Sequence, residues 1–232
     1  MAARYGMVLD LRKCIGCDAC VVACKMENEV VRGKWRTYVH EKDIGEYPQV
    51  TKIKLPTLCN HCEDPPCVKA CPVGATYVND NGVVLVNNRC IGCGYCITAC
   101  PYDERFKDSV KNVVDKCTYC YHRVEVGLMP ACVSNCVSHC RVFGDLDDPG
   151  GYLSRYIKDN HAVNVAQTST YYVLPEGIER AVIPADLERP ALIYLWKNII
   201  HGLGKAVLGL AAGAVVAGTI INTVKGGDKH NE

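Results

Sequence analysis

The pattern of apolar and polar positions changes several times along the chain. Residues 75–86, ATYVNDNGVVLV, alternate apolar side chains on either side of Asn-Asp-Asn-Gly, which predicts a β-hairpin. Residues 35–58 read as extended segments and turns, and 102–116 as a short connector. From 145 to 190 the chain is rich in Asp, Pro and Gly and predicts an irregular wrap with one short strand at TYYVLP. The longest uncharged apolar run, sixteen residues from Ala206 to Ile221, extends as a helix back through LWKNIIHGLGK and forward to Val224. A bilayer asks for roughly twenty such residues. Trp196 and Tyr194 supply an interfacial belt, and Gly209, Gly213 and Ala217 a small-residue stripe. The expectation is therefore a membrane-anchoring helix, and the competing reading is an apolar helix buried at a subunit interface.

Two counts change this outline: the 232 residues include seventeen Cys and only two Phe. Apolar core material is thin away from the cysteines, so something else must hold the fold. A formal net charge of +1 gives no field that would attract nucleic acid or an acidic substrate. A disulfide framework does not suit an odd cysteine count in a chain of this length, and residues 1–13 lack the apolar run of a secretion signal. Zinc knuckles pair C-x2-C units across a longer loop, which is a different spacing.

Cys14, Cys17, Cys20 and Cys24 form C-x2-C-x2-C-x3-C, and Cys90, Cys93, Cys96 and Cys100 repeat it before Pro101. This is the bacterial ferredoxin run for cubane iron–sulfur clusters, in which the fourth thiolate ligates a different cluster. Cys59, Cys62, Cys67 and Cys71 give C-x2-C-x4-C-x3-C-P, and Cys117, Cys120, Cys132 and Cys136 give C-x2-C-x11-C-x3-C. Four groups of this kind require two reciprocal pairs and four [4Fe-4S] clusters, with Cys140 left over. Gly16 and Gly92 let the backbone turn sharply and aim N–H groups at sulfur, while Pro72 and Pro101 stop the short helix at each fourth cysteine. Metal ligation then supplies stability that a small core cannot.

The four groups in this order, with DLRKCIGCDACVVACKMEN, LCNHCEDPPCVKACPVGA, CIGCGYCITACPY, and KCTYCYHR followed by PACVSNC and RVFGDLDDP, resemble the four-cluster iron–sulfur (beta) subunit of the dimethyl-sulfoxide-reductase superfamily. The beta subunits of formate dehydrogenase and polysulfide reductase belong there. The resemblance covers roughly residues 5–150 and, more loosely, the C-terminal tail. It implies that Cys14, Cys17, Cys20 and Cys136 hold cluster 1, and Cys24, Cys117, Cys120 and Cys132 cluster 2. It likewise implies that Cys59, Cys62, Cys67 and Cys100 hold cluster 3, and Cys71, Cys90, Cys93 and Cys96 cluster 4. In relatives that reduce nitrate a tryptophan matches Cys93 and one iron is missing; cysteine here implies four cubanes. The family usually follows the last cysteine of the fourth group with Pro and a small residue, whereas this chain reads Cys136-Val137-Ser138-His139-Cys140. Cys140 is then either a buried small residue, or Cys140 or His139 replaces Cys136 as ligand; Cys136 ranks first.

The fold implied is α+β: two bacterial-ferredoxin-like lobes with long connecting loops plus one C-terminal transmembrane helix. One lobe comprises residues 1–40 with 112–150 and the other is inserted as 41–111, followed by the wrap over 151–190 and the membrane helix over 191–225.

No Gly-rich phosphate loop, flavin motif, catalytic triad or open metal site is present in the sequence, and no residue is singled out as a catalytic acid, base or nucleophile. The expected function is electron transfer through four [4Fe-4S] clusters. The donor and acceptor would be a molybdopterin-containing (Mo or W) catalytic subunit and an integral membrane quinol- or haem-binding subunit of a respiratory oxidoreductase. The resemblance puts the Cys14-group cluster toward the catalytic partner and the Cys90-group cluster toward the membrane. It also puts the clusters on the periplasmic face of a prokaryotic plasma membrane, with a cytoplasmic face as the alternative. Rival readings are a self-contained membrane-tethered iron–sulfur enzyme, which the completeness of all four groups opposes, a soluble polyferredoxin-type carrier, and a structural zinc module. His61, His122 and Arg123 flank the cysteines and either fix loops or tune potentials. Lys25 would raise a neighbouring potential, and Tyr95, Tyr119 and Tyr121 would form a shell that keeps water off.

Overall fold

In the computed structural model, which describes residues 3–183, the run YGMVLD becomes a strand with a neighbour on each side and both of its faces buried. The elements up to the second cysteine group are β1 (Tyr5–Asp10), α1 (Ala19–Glu27), β2 (Thr37–Ile44), β3 (Thr51–Leu58) and α2 (Pro66–Lys69). Next come β4 (Thr76–Val78), β5 (Val84–Val86), α3 (Tyr95–Thr98), β6 (Phe106–Lys107) and β7 (Val114–Asp115). The last are α4 (Tyr121–Val124), α5 (Ala131–Ser134), β8 (Arg141–Asp145), α6 (Tyr152–Asp159), β9 (Val163–Asn164), β10 (Thr170–Val173) and a single 3-10 turn at Arg180–Val182.

The main sheet has the order β8-β1-β10-β9. Strand β1 runs antiparallel to β8, with Leu9 opposite Arg141, and parallel to β10, with Met7 opposite Thr170. Because side chains alternate along a strand, Met7 and Leu9 enter one core with Leu58, Val83, Tyr119, Phe143 and Tyr172. Val8 enters another, closed by Leu153 and Tyr156 of α6. The hairpin expected over 75–86 is present as β4 paired with β5, with Val78 opposite Val84. The extended segments at 35–58 form the longer antiparallel pair β2–β3. Around the cysteines, α1 packs against α5 and α2 against α3.

The fold expectation needs one correction. Among the described residues no helix is long and apolar enough to cross a membrane, so the fold in hand is α+β and ferredoxin-like without the transmembrane helix. The nine-residue α1 rises only about 14 Å, against roughly 30 Å of hydrocarbon. The segment 191–225 lies outside the described residues.

Candidate metal centre

Local structure places the cysteines by one repeated device. The third cysteine of each group sits on a helix: Cys20 on α1, Cys67 on α2, Cys96 on α3 and Cys132 on α5. In the second and third groups Pro follows the fourth cysteine, and α2 and α3 stop at Ala70 and Ala99, just before Cys71 and Cys100. The first group has Lys25 instead of Pro, so α1 continues through Cys24, and the four-residue spacing puts Cys20 and Cys24 on one buried face. Gly16 and Gly92 adopt φ of 70° and 65°, the left-handed turn that their places in the two repeated phrases call for.

The clearest assembly is a small, partly open pocket whose wall includes Cys24, Cys117, Cys120 and Cys132, from the first and fourth groups. Burial pushes the Cys24 thiol up to about 12, and neighbouring Cys132 and Cys120 add to the shift. Cys20 is likewise raised by burial, with Cys136 and Cys14 contributing. In the inserted region burial pushes Cys62 up to about 12, helped by Cys59, Cys67 and Cys100. Cys90 packs against the buried group formed by Cys67, Cys96, Val84 and Val114. Cys71 stands at the end of α2, which packs on the α3 that carries Cys96. Among the described residues no set of three or more His, Cys, Asp or Glu closes on a single-ion position. Thiols drawn from two distant groups around a pocket fit a cubane, which needs four thiolates spread over separate irons and would displace their protons on binding.

Backbone and side-chain donors already point at several sulfurs. Ala75 N–H reaches Cys71 Sγ at 3.2 Å, Val114 N–H reaches Cys90 Sγ at 3.4 Å and Tyr119 N–H reaches Cys117 Sγ at 3.4 Å. Asn28 Nδ2 lies 3.5 Å from Cys120 Sγ and 3.7 Å from Cys24 Sγ. Its Oδ1 accepts from Arg36, which in turn is paired with Asp115 at 2.7 Å. Such chains orient donors to a cluster and tune its potential.

Two family models, each described as a 4Fe-4S dicluster domain, match residues 13–75 and 50–146. A tetrathionate reductase subunit of Salmonella typhimurium is 50% identical over 203 residues, spanning 84% of this chain and 81% of the relative. The tetrathionate reductase subunit of the same name in Archaeoglobus fulgidus is 44% identical over 182 residues, 76% of this chain and 84% of the relative. The arsenate respiratory reductase iron–sulfur subunit of a Shewanella species is 38% identical over 205 residues, 67% of this chain and 87% of the relative. The chain belongs to the iron–sulfur (beta) subunits of the dimethyl-sulfoxide-reductase superfamily. It is an iron–sulfur electron-transfer subunit of a reductase complex and carries [4Fe-4S] clusters.

Within this iron–sulfur subunit several side chains singled out in the sequence turn out to hold loops. His61 is fully buried, accepts the Val84 N–H on Nδ1 at 3.0 Å and lies 3.8 Å from the Tyr119 ring, centre to centre. Burial pushes its pKa well below the ordinary value, as do Lys116 and Arg105, so its ring is neutral. His122 and Arg123 both reach Glu27, at 2.9 and 2.8 Å, and tie α4 to the end of α1. Lys25 donates to the carbonyls of Val31 and Lys34. Tyr119 is buried as expected of a shell, but Tyr95 is exposed. His139 is exposed, at φ 50°.

What the sequence reading missed are the buried bases. Arg105, Lys116 and Arg141 are all buried, though in the sequence they look like any surface charge. For Arg141 burial opposes the charge, but Cys132, Cys20, Cys140 and Cys136 outweigh it and raise the pKa. For Arg105 the same opposition is overcome by Cys67, Cys59, Cys96 and Cys100. The available signal was the position of each arginine, five residues after the last cysteine of its group.

Proposed function

We propose that this subunit is a four-cluster wire between a molybdopterin-containing catalytic subunit and an integral membrane quinone- or haem-binding subunit. Cluster 1 is held by Cys14, Cys17, Cys20 and Cys136, and cluster 2 by Cys24, Cys117, Cys120 and Cys132. Cluster 3 is held by Cys59, Cys62, Cys67 and Cys100, and cluster 4 by Cys71, Cys90, Cys93 and Cys96. Clusters 1 and 2 occupy a lobe of residues 1–40 with 112–150, and clusters 3 and 4 the inserted lobe 41–111.

The observation that carries this reading is a gradient of exposure. Cys17 and Cys93 hold the same place in the two repeated phrases, and both are exposed. Ile15 and Ile91 beside them are 62% and 63% exposed. The four cysteines assigned to cluster 2 are all buried, and those assigned to cluster 3 are buried or half-buried. A conducting chain needs open ends and an insulated middle, which supports clusters 1 and 4 as the terminals.

Electrons enter and leave at those ends, and the chemistry belongs to the partner. The catalytic subunit docks at the cluster 1 end and the membrane subunit at the cluster 4 end, so attachment to a prokaryotic plasma membrane runs through that partner. A tetrathionate reductase subunit among the relatives supports a sulfur oxyanion as the substrate class of the catalytic partner.

Purification of the native complex in mild detergent with metal analysis tests this reading. About sixteen iron atoms per chain, the number four cubanes require, should accompany molybdenum or tungsten in a large subunit. A chain that turns over substrate alone would sink it. Cys93→Ala should abolish quinone-linked turnover while dye-linked activity persists; loss of both contradicts the cluster order.

A further inference from the structure

Arg105 and Arg141 are each only 3% exposed, and neither forms an ion pair among the described residues. Glu104 senses the charge of Arg141 without pairing with it. One nitrogen of each guanidinium is anchored by a threonine hydroxyl: Arg141 Nη2 donates to Thr37 Oγ1 at 2.9 Å, and Arg105 Nη1 to Thr76 Oγ1 at 3.4 Å. Nε and Nη1 of Arg141, and Nε and Nη2 of Arg105, are buried with no hydrogen-bond partner. Arginine cannot shed its proton, and an unpaired buried charge is strongly unfavourable. A negative group must therefore belong in the space those free nitrogens face.

Thiols fill the surroundings of both. Arg141 lies in the wall of the pocket lined by Cys24, Cys117, Cys120 and Cys132, and senses the charges of Cys132, Cys20, Cys140 and Cys136. Arg105, anchored at Thr76 of the strand that follows Cys71, senses the charges of Cys67, Cys59, Cys96 and Cys100. With the ligand sets proposed above, each arginine meets cysteines of both clusters in its own lobe. The chain builds this arrangement twice: Arg105 follows Cys100 by five residues and immediately precedes β6, and Arg141 follows Cys136 by five residues and opens β8. The first two groups have Glu29 and Thr76 at that offset.

We propose that Arg141 and Arg105 are fixed counter-charges, one between the two clusters of each lobe, and that each raises the potentials of its own pair. The proposal rests on the four-cluster reading. A tetrathiolate cubane becomes more negative by one charge on accepting an electron, so an adjacent guanidinium stabilises the reduced form more than the oxidised one. Facing both clusters, it favours the electron on either and keeps the step between them close to level. These are positioning residues that act through the clusters.

The test is a redox titration, followed by electron paramagnetic resonance, of the full-length chain in its native complex, with iron measured on the same samples. Wild type lacking about sixteen iron atoms would defeat the four-cluster reading itself, whatever the arginines do. With that iron present, Arg141→Gln should make reduction of two clusters about tenfold less favourable, a fall of about 59 mV for a one-electron step, and leave the other two in place. Arg105→Gln should move the complementary pair. The Arg→Lys variants should fall between wild type and Gln, because a cation is kept while the anchored guanidinium and its permanent charge are lost. A shift shared by all four clusters, no shift at full iron content, or a Lys variant that moves as far as Gln overturns the proposal. Should Arg141→Gln fail to load iron, Thr37→Val releases the guanidinium from its anchor instead. It should lower the same two potentials by less, and an unchanged pair there is equally fatal.

Discussion

The Sγ of Cys140 lies 3.5 Å from that of Cys136, and the Cys140 backbone N–H reaches the same Cys136 sulfur at 3.3 Å. The hydrogen bond from Cys140 holds the Cys136 thiol down to about 4, against the opposing effect of burial. Cys140 is driven the other way by Cys136 and then Cys14 and stays protonated. Because both the thiol and the backbone N–H of Cys140 point at the Cys136 sulfur, we expect Cys136 to be the iron ligand and Cys140 a donor to it.

Cys140→Ala should therefore keep its full iron complement, whereas Cys136→Ala should lose about a quarter of it, the share of one cubane in four. Iron and acid-labile sulfide assays on the purified chain decide the matter. Iron loss in Cys140→Ala would make Cys140 the ligand.

The two repeated phrases should respond differently to the same substitution. At Gly92 an added Cβ would meet the backbone oxygen of Asn112 at 2.1 Å, and the residue has φ +65°. At Gly16 the nearest atom is Cδ of Lys54 at 3.0 Å, the flexible part of a long side chain, with φ +70°. Both alanine variants pay about 1–2 kcal/mol for the left-handed conformation, but only Gly92→Ala must also displace a backbone. Gly92→Ala should lose iron and melt early, and Gly16→Ala should show the conformational term alone. Equal iron retention in the two variants would contradict the tight packing of the third group against residue 112.

These contrasts show what was legible in the sequence. Ligand spacing is a local property, so the groups containing Cys14 and Cys90 could be read without a structure, and so could the β4–β5 hairpin from its alternation around Asn81-Gly82. The pairing of β1 with β8 and β10 joins residues more than a hundred positions apart, and a short run such as YGMVLD does not name its partners. Helix α6 was hidden in a stretch whose Gly150 and Gly151 read as loop, although they only precede its first turn. Apart from the shared offset of Arg105 and Arg141 from a last cysteine, these two and Lys116 read as surface charges, because the thiols around them are brought together only by the tertiary fold.

Asp10 at the end of β1 sets a test of pH. Its buried carboxylate accepts from Arg12 Nη2 and Tyr156 OH, each at 2.7 Å, and from Arg12 Nε at 2.9 Å. Burial tends to raise its pKa, but the bonds from Arg12 and Tyr156 prevail and hold it below the ordinary 3.8. A depressed carboxyl stabilises the fold above its unfolded pKa and loses that contribution as pH falls through the folded value. Asp10→Asn should be about 1.5–3 kcal/mol less stable by denaturant unfolding, with the same difference at pH 8 and pH 5. A gap that closes between those two pH values would mean that another group carries the effect.

Lys116 gives the last prediction, because it ties the inserted region to the fourth cysteine group. Its side chain is buried, and Nζ donates both to the Val84 carbonyl of β5 and to the Cys117 carbonyl. Burial pushes its pKa down, partly offset by Cys59, while Arg105 lowers it further. Two opposing terms decide what Lys116→Met does. Removing the ammonium relieves its desolvation, but it strips a donor from two buried carbonyls. Together those bonds bridge elements distant in sequence, so we expect the second term to prevail by about 1–3 kcal/mol, with β5 loosening first. Hydrogen exchange at Val84 to Val86 should accelerate before exchange in β1 does. If the variant is instead more stable and those amides keep their protection, desolvation outweighs the bridge and the contact between the two regions rests on apolar packing around Val83 and Tyr119.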